Sequence, residues 1–245
     1  EFSIFGTARN LSRVEVIPGV EVLPLDVRSE ESVNTCVETV LKRAGRLDIL
    51  VNNAGHGLWG AVEEVALEEA KALFETNFFG VVRMVKRVLP IMRRQGSGQI
   101  INISSGLGLA ALPFVGFYAS SKFALEGYTE ALRHEVKLFQ IKVSLVEPGF
   151  VHTQFHNNMQ LASNPITDYD PLRQRVSQGF QKHREKGLEP TQVAECILRI
   201  SKSKSPRLRN IASKEIARTF FLRRVLPESL YERGARRYLN LDVKG

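Results

Sequence analysis

Short apolar runs alternate with amphipathic segments along the first 150 residues or so of the chain. Several of the runs are apolar at successive positions, as in parallel strands that are buried on both faces. They are VEVLPL (20–25), LDILVNN (47–53), QIINIS (99–104) and IKVSLVEPG (141–149). The segments between them space their apolar residues as helices do and cover residues 29–45, 67–96 and 118–140. This alternation predicts an α/β fold with a doubly wound parallel sheet, in one domain that covers residues 1–245.

The length of 245 residues is sufficient for one well-buried α/β domain. Cys36 and Cys196 have no paired or metal-ligand spacing and fall in helical patterns, so we expect both to be buried as small hydrophobic residues. Such cysteines suit a reducing cytoplasm. No apolar run approaches the roughly twenty residues that span a bilayer, and the start has no signal-like pattern. We therefore expect a cytoplasmic location.

The net charge of +8 is concentrated towards the C-terminus. Residues 199–245 contain thirteen lysines and arginines against four acidic residues, so this basic segment carries +9 and the rest of the chain is close to neutral. Its arginines are interleaved with apolar side chains, among them Phe220, Phe221, Leu222, Val225 and Leu226. A solvated face of packed helices is the interpretation we favour, and peripheral contact with anionic lipid is the second. We expect no nucleic-acid partner, because no recognised binding module is present.

Three polar residues that follow the QIINIS run, Ser105, Tyr118 and Lys122, are candidates for a catalytic site. Tyr118 and Lys122 are four residues apart at the start of a predicted helix, so their side chains share one face. An ammonium beside a phenol favours the ionised phenol and is expected to lower its pKa, which suits a tyrosine to proton transfer at a carbinol oxygen. Ser105, thirteen residues before Tyr118, lies where the strand ends and could hold the same oxygen. Ser104 is the competing candidate, but the thirteen-residue offset favours Ser105.

This set resembles the short-chain dehydrogenase/reductase family. The resemblance rests also on LDV (25–27), LDILVNNAG (47–55), Asn77 in ETNFFG and PGFVHT (148–153), which occur in the family's order and spacing. It extends from about Phe5 to about Thr153 and more loosely to the end of the sequence. The apolar segment after Thr153 and the FALEGYTEALRHEV stretch (123–136) look most similar to the branch of steroid and retinol dehydrogenases. It implies a Rossmann-like fold, a nicotinamide cofactor and a lid over the substrate at about 154–190, whose apolar members include Phe155, Met159, Leu161 and Phe180.

The resemblance also implies roles for individual residues. Tyr118 would be the general acid or base, Lys122 would also bind the nicotinamide ribose, and Asn77 would hold a water that links the lysine to solvent. Besides Tyr118 and Lys122, the residues expected at the cofactor are Asp26 and Val27 at the adenine, Asn52, Asn53, Ala54 and Gly55 after a strand, and Pro148, Gly149, Val151 and Thr153 along the nicotinamide. A plain turn is the alternative for both glycine-containing stretches.

Arg9 follows what resembles the family's second strand. A carboxylate at this place would bind the ribose hydroxyls of NAD, whereas an arginine suits the 2′-phosphate of NADP. The stretch Thr7-Ala8-Arg9-Asn10 contains no acid, so we favour NADP(H) as the cofactor and keep NAD(H) open.

The sequence departs from the family at its beginning. The family starts with a strand and a glycine-rich TGxxxGxG turn that carries the pyrophosphate, whereas this sequence opens at EFSIFGTARN. The simplest expectation is that roughly thirty preceding residues, the size of half a βαβ unit, are missing from the sequence. Without that strand, the family's second and third strands would lose a neighbour in the sheet.

These observations predict an NADP-dependent oxidoreductase that interconverts a carbonyl and an alcohol, with a lipophilic steroid-, retinoid- or lipid-like small molecule as substrate. The five histidines show no ligand spacing, so we expect no metal. A homodimer or homotetramer is implied by the resemblance. The alternative is a cofactor-deficient relative that acts as an interaction or membrane-surface protein through its basic segment.

Overall fold

The computed structural model describes residues 2–239 and residue 241, so the last part of the basic segment, residues 240 and 242–245, lies outside the described residues. The strands are β1 Ile4–Ala8, β2 Val20–Pro24, β3 Ile49–Asn52, β4 Leu58–Trp59, β5 Gly98–Ile103, β6 Ile141–Glu147, β7 Gln160–Leu161 and β8 Arg209–Ile211. The helices are α1 Glu30–Ala44, α2 Leu67–Phe74, α3 Gly80–Gln95, α4 Gly116–Val136, α5 Asp170–Arg184, α6 Pro190–Lys202, α7 Lys214–Val225 and α8 Glu228–Tyr238.

The four predicted strands are present as β2, β3, β5 and β6, and each pairs in parallel with a neighbouring strand. β3, β5, β6 and β8 form one sheet in that order, with Leu50 opposite Ile100 and Ile100 opposite Val143. These residues are apolar because helices cover both faces of the sheet. β1 and β2 form a separate parallel pair. The expected single sheet is therefore divided between β1 and β3 in the described part of the chain, at the place where the family's first strand would lie.

Local sequence signals explain where the first helix begins and ends. The Ser29 hydroxyl accepts a hydrogen bond from the Ser32 N–H and caps α1. Gly45 ends the helix in the left-handed conformation, with φ 74°. Val33, Cys36 and Val37 on the inner face of α1 are buried. The predicted burial of Cys36 is confirmed, and Cys196 is likewise a buried free cysteine.

The predicted long helix over 67–96 is interrupted. A π-helical turn, Glu75–Phe79, separates α2 from α3, so Asn77 lies in a π turn rather than in a regular helix. π turns of this kind occur preferentially at functional sites, because they turn a side chain away from the regular helical position. Gly80 follows the turn, and a Cβ there would lie 2.6 Å from Val27 Cγ2, which explains the glycine. The turn thereby brings the start of α3 against the loop after β2.

The last third of the chain adds a strand to the sheet and brings α7 close to Gly106 and Gly149, which follow β5 and β6. Within this part, α6 packs against β6. The basic segment forms β8 and two helices, α7 and α8, which are separated at Pro227. In the predicted lid, Leu161 pairs through β7 with β4 but leaves its side chain 68% exposed. No helix in the described ranges is long and apolar enough to cross a membrane.

Candidate active site

Ser105, Tyr118 and Lys122 meet in one large cavity of about 1040 Å³. The carboxyl end of β5 places Ser105, and the first turns of α4 place Tyr118 and Lys122 on one face. The Ser105 hydroxyl accepts a hydrogen bond from the Leu107 N–H at 3.1 Å and forms a side-chain hydrogen bond with Tyr118. Ser104 is buried beside Gly108, whose Cβ would lie 2.7 Å from the Ser104 hydroxyl. The geometry therefore pairs Ser105, rather than Ser104, with the tyrosine.

The environment of Tyr118 differs from the expected one. Burial raises the pKa of the Tyr118 hydroxyl to about 12, and the hydrogen bond with Ser105 only partly opposes this rise. The prediction that Lys122 lowers this pKa is therefore wrong for the cavity as it stands. The physical reason is that the low-dielectric surroundings disfavour the phenolate more than the lysine favours it, since Lys122 Nζ is 5.8 Å from the ring centre. A tyrosine of this kind holds its proton firmly.

Lys122 is held at the end of β5. Its Nζ donates a hydrogen bond to the carbonyl of Ile103 at 2.9 Å. Burial lowers the pKa of Lys122 to about 8, and the negative charge of Glu126 opposes the decrease. An ammonium that loses its proton near pH 8 is well suited to proton movement, because both of its protonation states are accessible near neutral pH.

Asn77 links the π turn to the loop after β3 and to α4. Its amide accepts a hydrogen bond from the His56 N–H at 3.0 Å and donates one to the His56 carbonyl at 2.9 Å. Its Nδ2 lies 3.3 Å from the Ser121 hydroxyl, which itself donates to the Tyr118 carbonyl at 2.7 Å. Ser121 is fully buried and did not stand out in the sequence. Asn77 is thus a fixed polar group beside the catalytic face of α4, and its water-holding role stays a prediction.

Most of the residues that were expected at the nicotinamide line the cavity. Of the residues expected there, the cavity is lined by Asn53, Gly55, Tyr118, Lys122, Pro148, Gly149, Val151 and Thr153. A Cβ on Gly55 would lie 3.1 Å from Asn77 Oδ1 and 3.8 Å from Lys122 Nζ, so only a glycine leaves this space free beside the ammonium. Gly149 is similarly close to Ile216 and Ser213 at the start of α7. These residues fit a nicotinamide and its ribose.

The expected adenine end lies beyond the ends of β1 and β2. The Asp26 carboxylate receives two hydrogen bonds from Arg28 Nε and Nη2, at 2.9 and 2.6 Å. These bonds lower the pKa of Asp26 to about 2, and the positive charge of Arg9 contributes in the same direction. Arg9 also lowers the pKa of His56, whose main shift comes from burial. Arg9 and Asp26 follow the paired ends of β1 and β2, and Asp26 is engaged by Arg28.

The exposed stretch Asn53-Ala54-Gly55 follows β3 as expected, whereas Asn52 is placed differently. The Asn52 side chain is buried and donates to Asn102 Oδ1 at 2.8 Å, and Asn102 in turn donates to the Thr129 hydroxyl at 2.9 Å. Asn52 does not line the cavity. The Asn52 side chain thus makes a structural contact in place of the predicted cofactor contact. This chain of hydrogen bonds satisfies buried polar groups of the neighbouring strands β3 and β5 and of α4.

Much of the remaining cavity wall is apolar, although Gln154, His183, Glu215 and Arg218 also line it. The Phe155 ring lies 5.7 Å from the Tyr118 ring, and Phe150 meets Phe180 edge to face at 5.4 Å. Met159 also lines the space, so the predicted lid members Phe155, Met159 and Phe180 converge there. Sequence reasoning missed the contribution of the C-terminal helices. Their lining residues include Phe220, Leu222, Leu226, Leu230, Tyr231 and Tyr238.

No group of three or more histidine, cysteine, aspartate or glutamate residues that could hold a metal ion occurs in residues 2–239 or at residue 241. Ser105 and Lys122 provide a hydroxyl and an ammonium beside Tyr118, and the Asn77 amide reaches α4 through Ser121. A buried hydroxyl with a firmly held proton, next to a titratable ammonium and an apolar cavity, can deliver a proton to a developing alkoxide.

Comparison with known proteins agrees with this geometry. The profile of the short chain dehydrogenase family matches residues 7–164. The 3-ketodihydrosphingosine reductase of Bacteroides thetaiotaomicron is 42% identical over 208 residues, which are 84% of this chain and 77% of that protein. Retinol dehydrogenase 8 of Bos taurus is 38% identical over 239 residues, or 91% of this chain and 76% of that protein.

Solved structures give the same result. A short-chain dehydrogenase from Streptomyces avermitilis superimposes with a TM-score of 0.77 at 30% identity, over 98% of this chain and 90% of that one. A short chain dehydrogenase/reductase from Burkholderia phymatum in complex with NAD has a TM-score of 0.73 at 26% identity, over 84% of this chain and 75% of that one. The Rossmann-like α/β fold is thereby confirmed. The chain belongs to the short-chain dehydrogenase/reductase family, in the branch of steroid and retinol dehydrogenases, and is an oxidoreductase that acts on CH–OH groups.

Proposed function

We propose that this protein reduces the carbonyl group of a lipophilic small molecule with NADPH. The observation that carries the proposal is the position of the Ser105, Tyr118 and Lys122 set in a large cavity to which many aromatic and aliphatic side chains contribute. A steroid-, retinoid- or long-chain ketone would bury its apolar body there and place its carbonyl at the polar floor. The names of the two relatives, a ketosphingosine reductase and a retinol dehydrogenase, support a lipophilic substrate.

The residues act on the carbonyl oxygen. When bound, the nicotinamide supplies the hydride to the carbonyl carbon. Ser105 holds the carbonyl oxygen beside the Tyr118 hydroxyl, and Tyr118 gives its proton to the oxygen as negative charge develops there. Lys122 stabilises the resulting phenolate and returns a proton to it. In the oxidation direction the same groups work in reverse, and a supply of NADPH favours reduction.

NADP(H) is supported by Arg9, which lies near Asp26 at the predicted adenine end. A guanidinium binds a phosphate through charge-assisted hydrogen bonds and offers nothing comparable to a ribose hydroxyl. Gly55, Asn53, Val151 and Thr153 would hold the nicotinamide end, where the space beside Lys122 is open. A homodimer or homotetramer and a cytoplasmic location stay predictions.

A thermal-shift titration with NADPH and NADH, followed by an assay of NADPH oxidation with lipophilic ketones and aldehydes, tests the function. We expect NADPH at a hundred times its dissociation constant to raise the free energy of unfolding by about 2.7 kcal/mol. Turnover is expected with apolar ketones and not with small polar ones, since only the former fill the cavity. Absence of both a shift and turnover would refute the function and favour a cofactor-deficient interaction protein.

Substitution of Arg9 by glutamate is expected to weaken NADPH binding by about tenfold or more, because it removes a charged hydrogen-bonding partner of the 2′-phosphate and adds a like charge. NADH binding is expected to stay the same or to improve. The matched control is Arg46→Glu. Arg46 pairs with Asp48 just before β3, at the end of that strand opposite to the predicted cofactor residues. Equal loss of NADPH binding in both variants would contradict the role of Arg9.

We further propose peripheral contact with anionic lipid through α7 and α8, which form part of the cavity wall. Phe221, Val225 and Leu230 expose 62%, 55% and 48% of their surface there, next to the exposed Arg224. An apolar face bordered by arginines suits the boundary between headgroups and acyl chains. This contact would place the cavity next to a lipophilic substrate dissolved in the bilayer.

Sedimentation with phosphatidylserine vesicles checks this contact. The double variant Phe221→Ser, Val225→Ser is expected to bind the vesicles at least about tenfold more weakly. Each of the two apolar side chains would otherwise bury apolar area in the lipid. The control is Leu138→Ser, which removes a leucine that is 74% exposed just after α4, at the other end of that helix from the active site. Unchanged vesicle binding of the double variant would exclude the surface.

A further inference from the structure

A buried carboxylate lies one helical turn beyond the active-site lysine. Glu126 follows Lys122 by four residues on α4 and is 4% exposed. A Cβ on Gly108 would lie 3.2 Å from Glu126 Cγ and 3.3 Å from Lys122 Cβ, so the two side chains leave the helix on the same side. Burying a carboxylate costs free energy of folding unless the charge is paired. The position of Glu126 therefore needs an explanation.

Arg209 on β8 fixes this carboxylate. Its Nε donates to Glu126 Oε2 at 2.9 Å, and its Nη2 donates to Glu130 Oε2 at 2.8 Å. Glu130, one turn further along α4, is half-exposed, whereas Glu126 is buried. One guanidinium thus serves two carboxylates, and the group of three keeps a net negative charge. That charge attracts a buried ammonium nearby more strongly than it would in water.

A second buried acid adjoins the group. Glu147 ends β6, is fully buried, and accepts a hydrogen bond from the Asn210 N–H on Oε2 at 2.8 Å. Its Oε1 has no hydrogen-bond partner among the described residues. Burial, together with the charge of Glu126, raises the pKa of Glu147 to about 8. Two neighbouring buried carboxyl groups do not ionise together at neutral pH, so one of them keeps its proton. Burial raises the pKa of Glu126 as well, but its hydrogen bonds with Ser104 and Arg209 oppose this rise, which places the proton on Glu147.

We propose that Glu126, fixed by Arg209, is a positioning residue that keeps the buried Lys122 ammonium charged and in place, and that Glu147 is the neutral, proton-bearing partner of Glu126. The proposal rests on the proposed role of Lys122 in carbonyl reduction. The groups that face Lys122 are Tyr118 on α4, the Ile103 carbonyl of β5, Gly55 after β3 and Asn77 of the π turn. The groups that face Glu126 are Arg209, Glu130, Glu147 and Ser104.

None of the other groups around Lys122 carries a negative charge at neutral pH, because Tyr118 holds its proton and the rest are amide or carbonyl groups. Glu126 is accordingly the acid whose charge raises the pKa of Lys122 against the effect of burial. Removing this charge leaves the desolvation of the lysine unopposed. The lysine would then lose its proton at a lower pH, and the phenolate formed at Tyr118 would lose its counter-charge there.

The test is a ¹³C NMR pH titration of protein labelled at the lysine Cε, with the Lys122 signal assigned from the spectrum of Lys122→Met. In Glu126→Gln we expect the midpoint of Lys122 to fall by about one pH unit, the size of effect that a nearby opposite charge has on a buried group. The alkaline limb of kcat/KM for NADPH-dependent ketone reduction is expected to move by the same amount. Glu126→Asp is expected to restore most of both.

Two control substitutions locate the charge. Glu147→Gln replaces the acid by an amide of the same shape, and it is expected to move the midpoint of Lys122 by clearly less than Glu126→Gln does, because Glu147 still carries its proton over the lower half of the Lys122 titration. Glu130→Gln removes the exposed partner of Arg209 and is expected to change the midpoint by less than Glu126→Gln does. If Glu126→Gln does not fold, Glu126→Met offers an apolar replacement of similar length with the same expected shift.

An unchanged midpoint of Lys122 in the folded Glu126 variant overturns the proposal. An equal shift in Glu147→Gln also overturns it, because the charge would then belong to Glu147. A uniform loss of activity at every pH without a shift indicates a structural role for Glu126 and overturns it as well. The NMR titration needs no turnover, so absence of ketone reduction by the unmodified protein would count against the proposed function alone.

Discussion

Replacement of Tyr118 by phenylalanine is expected to lower kcat for ketone reduction by about 10²- to 10⁴-fold, the contribution typical of a positioned general acid. The hydroxyl is the group that is lost, since the ring is buried against Phe155 and a phenylalanine occupies the same space. NADPH binding is expected to persist, because most of the predicted cofactor contacts come from other residues. Single-turnover oxidation of NADPH, together with the thermal shift, measures both quantities on the same protein.

The matched control for this substitution is Tyr128→Phe. Tyr128 is on the same helix, its hydroxyl also has a pKa that burial raises to about 12, and it does not line the cavity. It is expected to retain full activity. A Tyr118→Phe variant that reduces ketones at a rate within tenfold of the unmodified protein would rule out Tyr118 as the proton donor.

The sequence allowed the fold and the reacting groups to be predicted because both depend on local patterns. Runs such as QIINIS have apolar residues at successive positions, and this pattern indicates a strand that is covered on both faces. Tyr118 and Lys122 could be paired because four residues on a helix bring two side chains to one face. The end of α1 at Gly45 is equally local, as the left-handed conformation there favours glycine.

Features that depend on contacts between distant segments were beyond sequence reasoning. The raised pKa of Tyr118 comes from burial by Phe155 and other residues far along the chain, which outweighs the local effect of Lys122. The structural role of Asn52 depends on Asn102, fifty residues later. Arg209 could not be assigned to Glu126 from the sequence either, since 83 residues separate them. The spacing of Glu126 from Lys122, in contrast, was a signal that could have been noticed.

The second large effect is expected from Lys122→Met, which should make the protein less active and more stable. Loss of the ammonium removes the counter-charge of the developing phenolate, and we expect kcat to fall by about 10²-fold or more, as for other positioned groups in proton transfer. For the unmodified protein, kcat/KM for reduction is expected to decline as the pH rises through about 8, where the buried Lys122 loses its proton. This alkaline limb is expected to be absent in the variant.

The stability of the same variant is expected to change in the opposite direction. The pKa of Lys122 decreases from its ordinary value of 10.5 to about 8 on folding. A group whose folded pKa is lowered binds fewer protons in the folded state, so burying its charge costs about 3 kcal/mol below pH 8, and this cost disappears as the pH rises towards 10.5. Urea unfolding at pH 7 should therefore show Lys122→Met to be the more stable protein by up to that amount, less the value of the lost hydrogen bond to Ile103.

The pH dependence of this stability difference distinguishes the proposed origin from better packing of a methionine. If desolvation of the ammonium is the cause, the advantage of Lys122→Met decreases between pH 8 and pH 10.5 as the lysine becomes neutral in the folded protein. A difference that is the same at every pH would point to packing alone and would contradict a lowered pKa at Lys122. A less active yet more stable variant would mean that the protein bears the cost of a buried ammonium for the sake of its reaction.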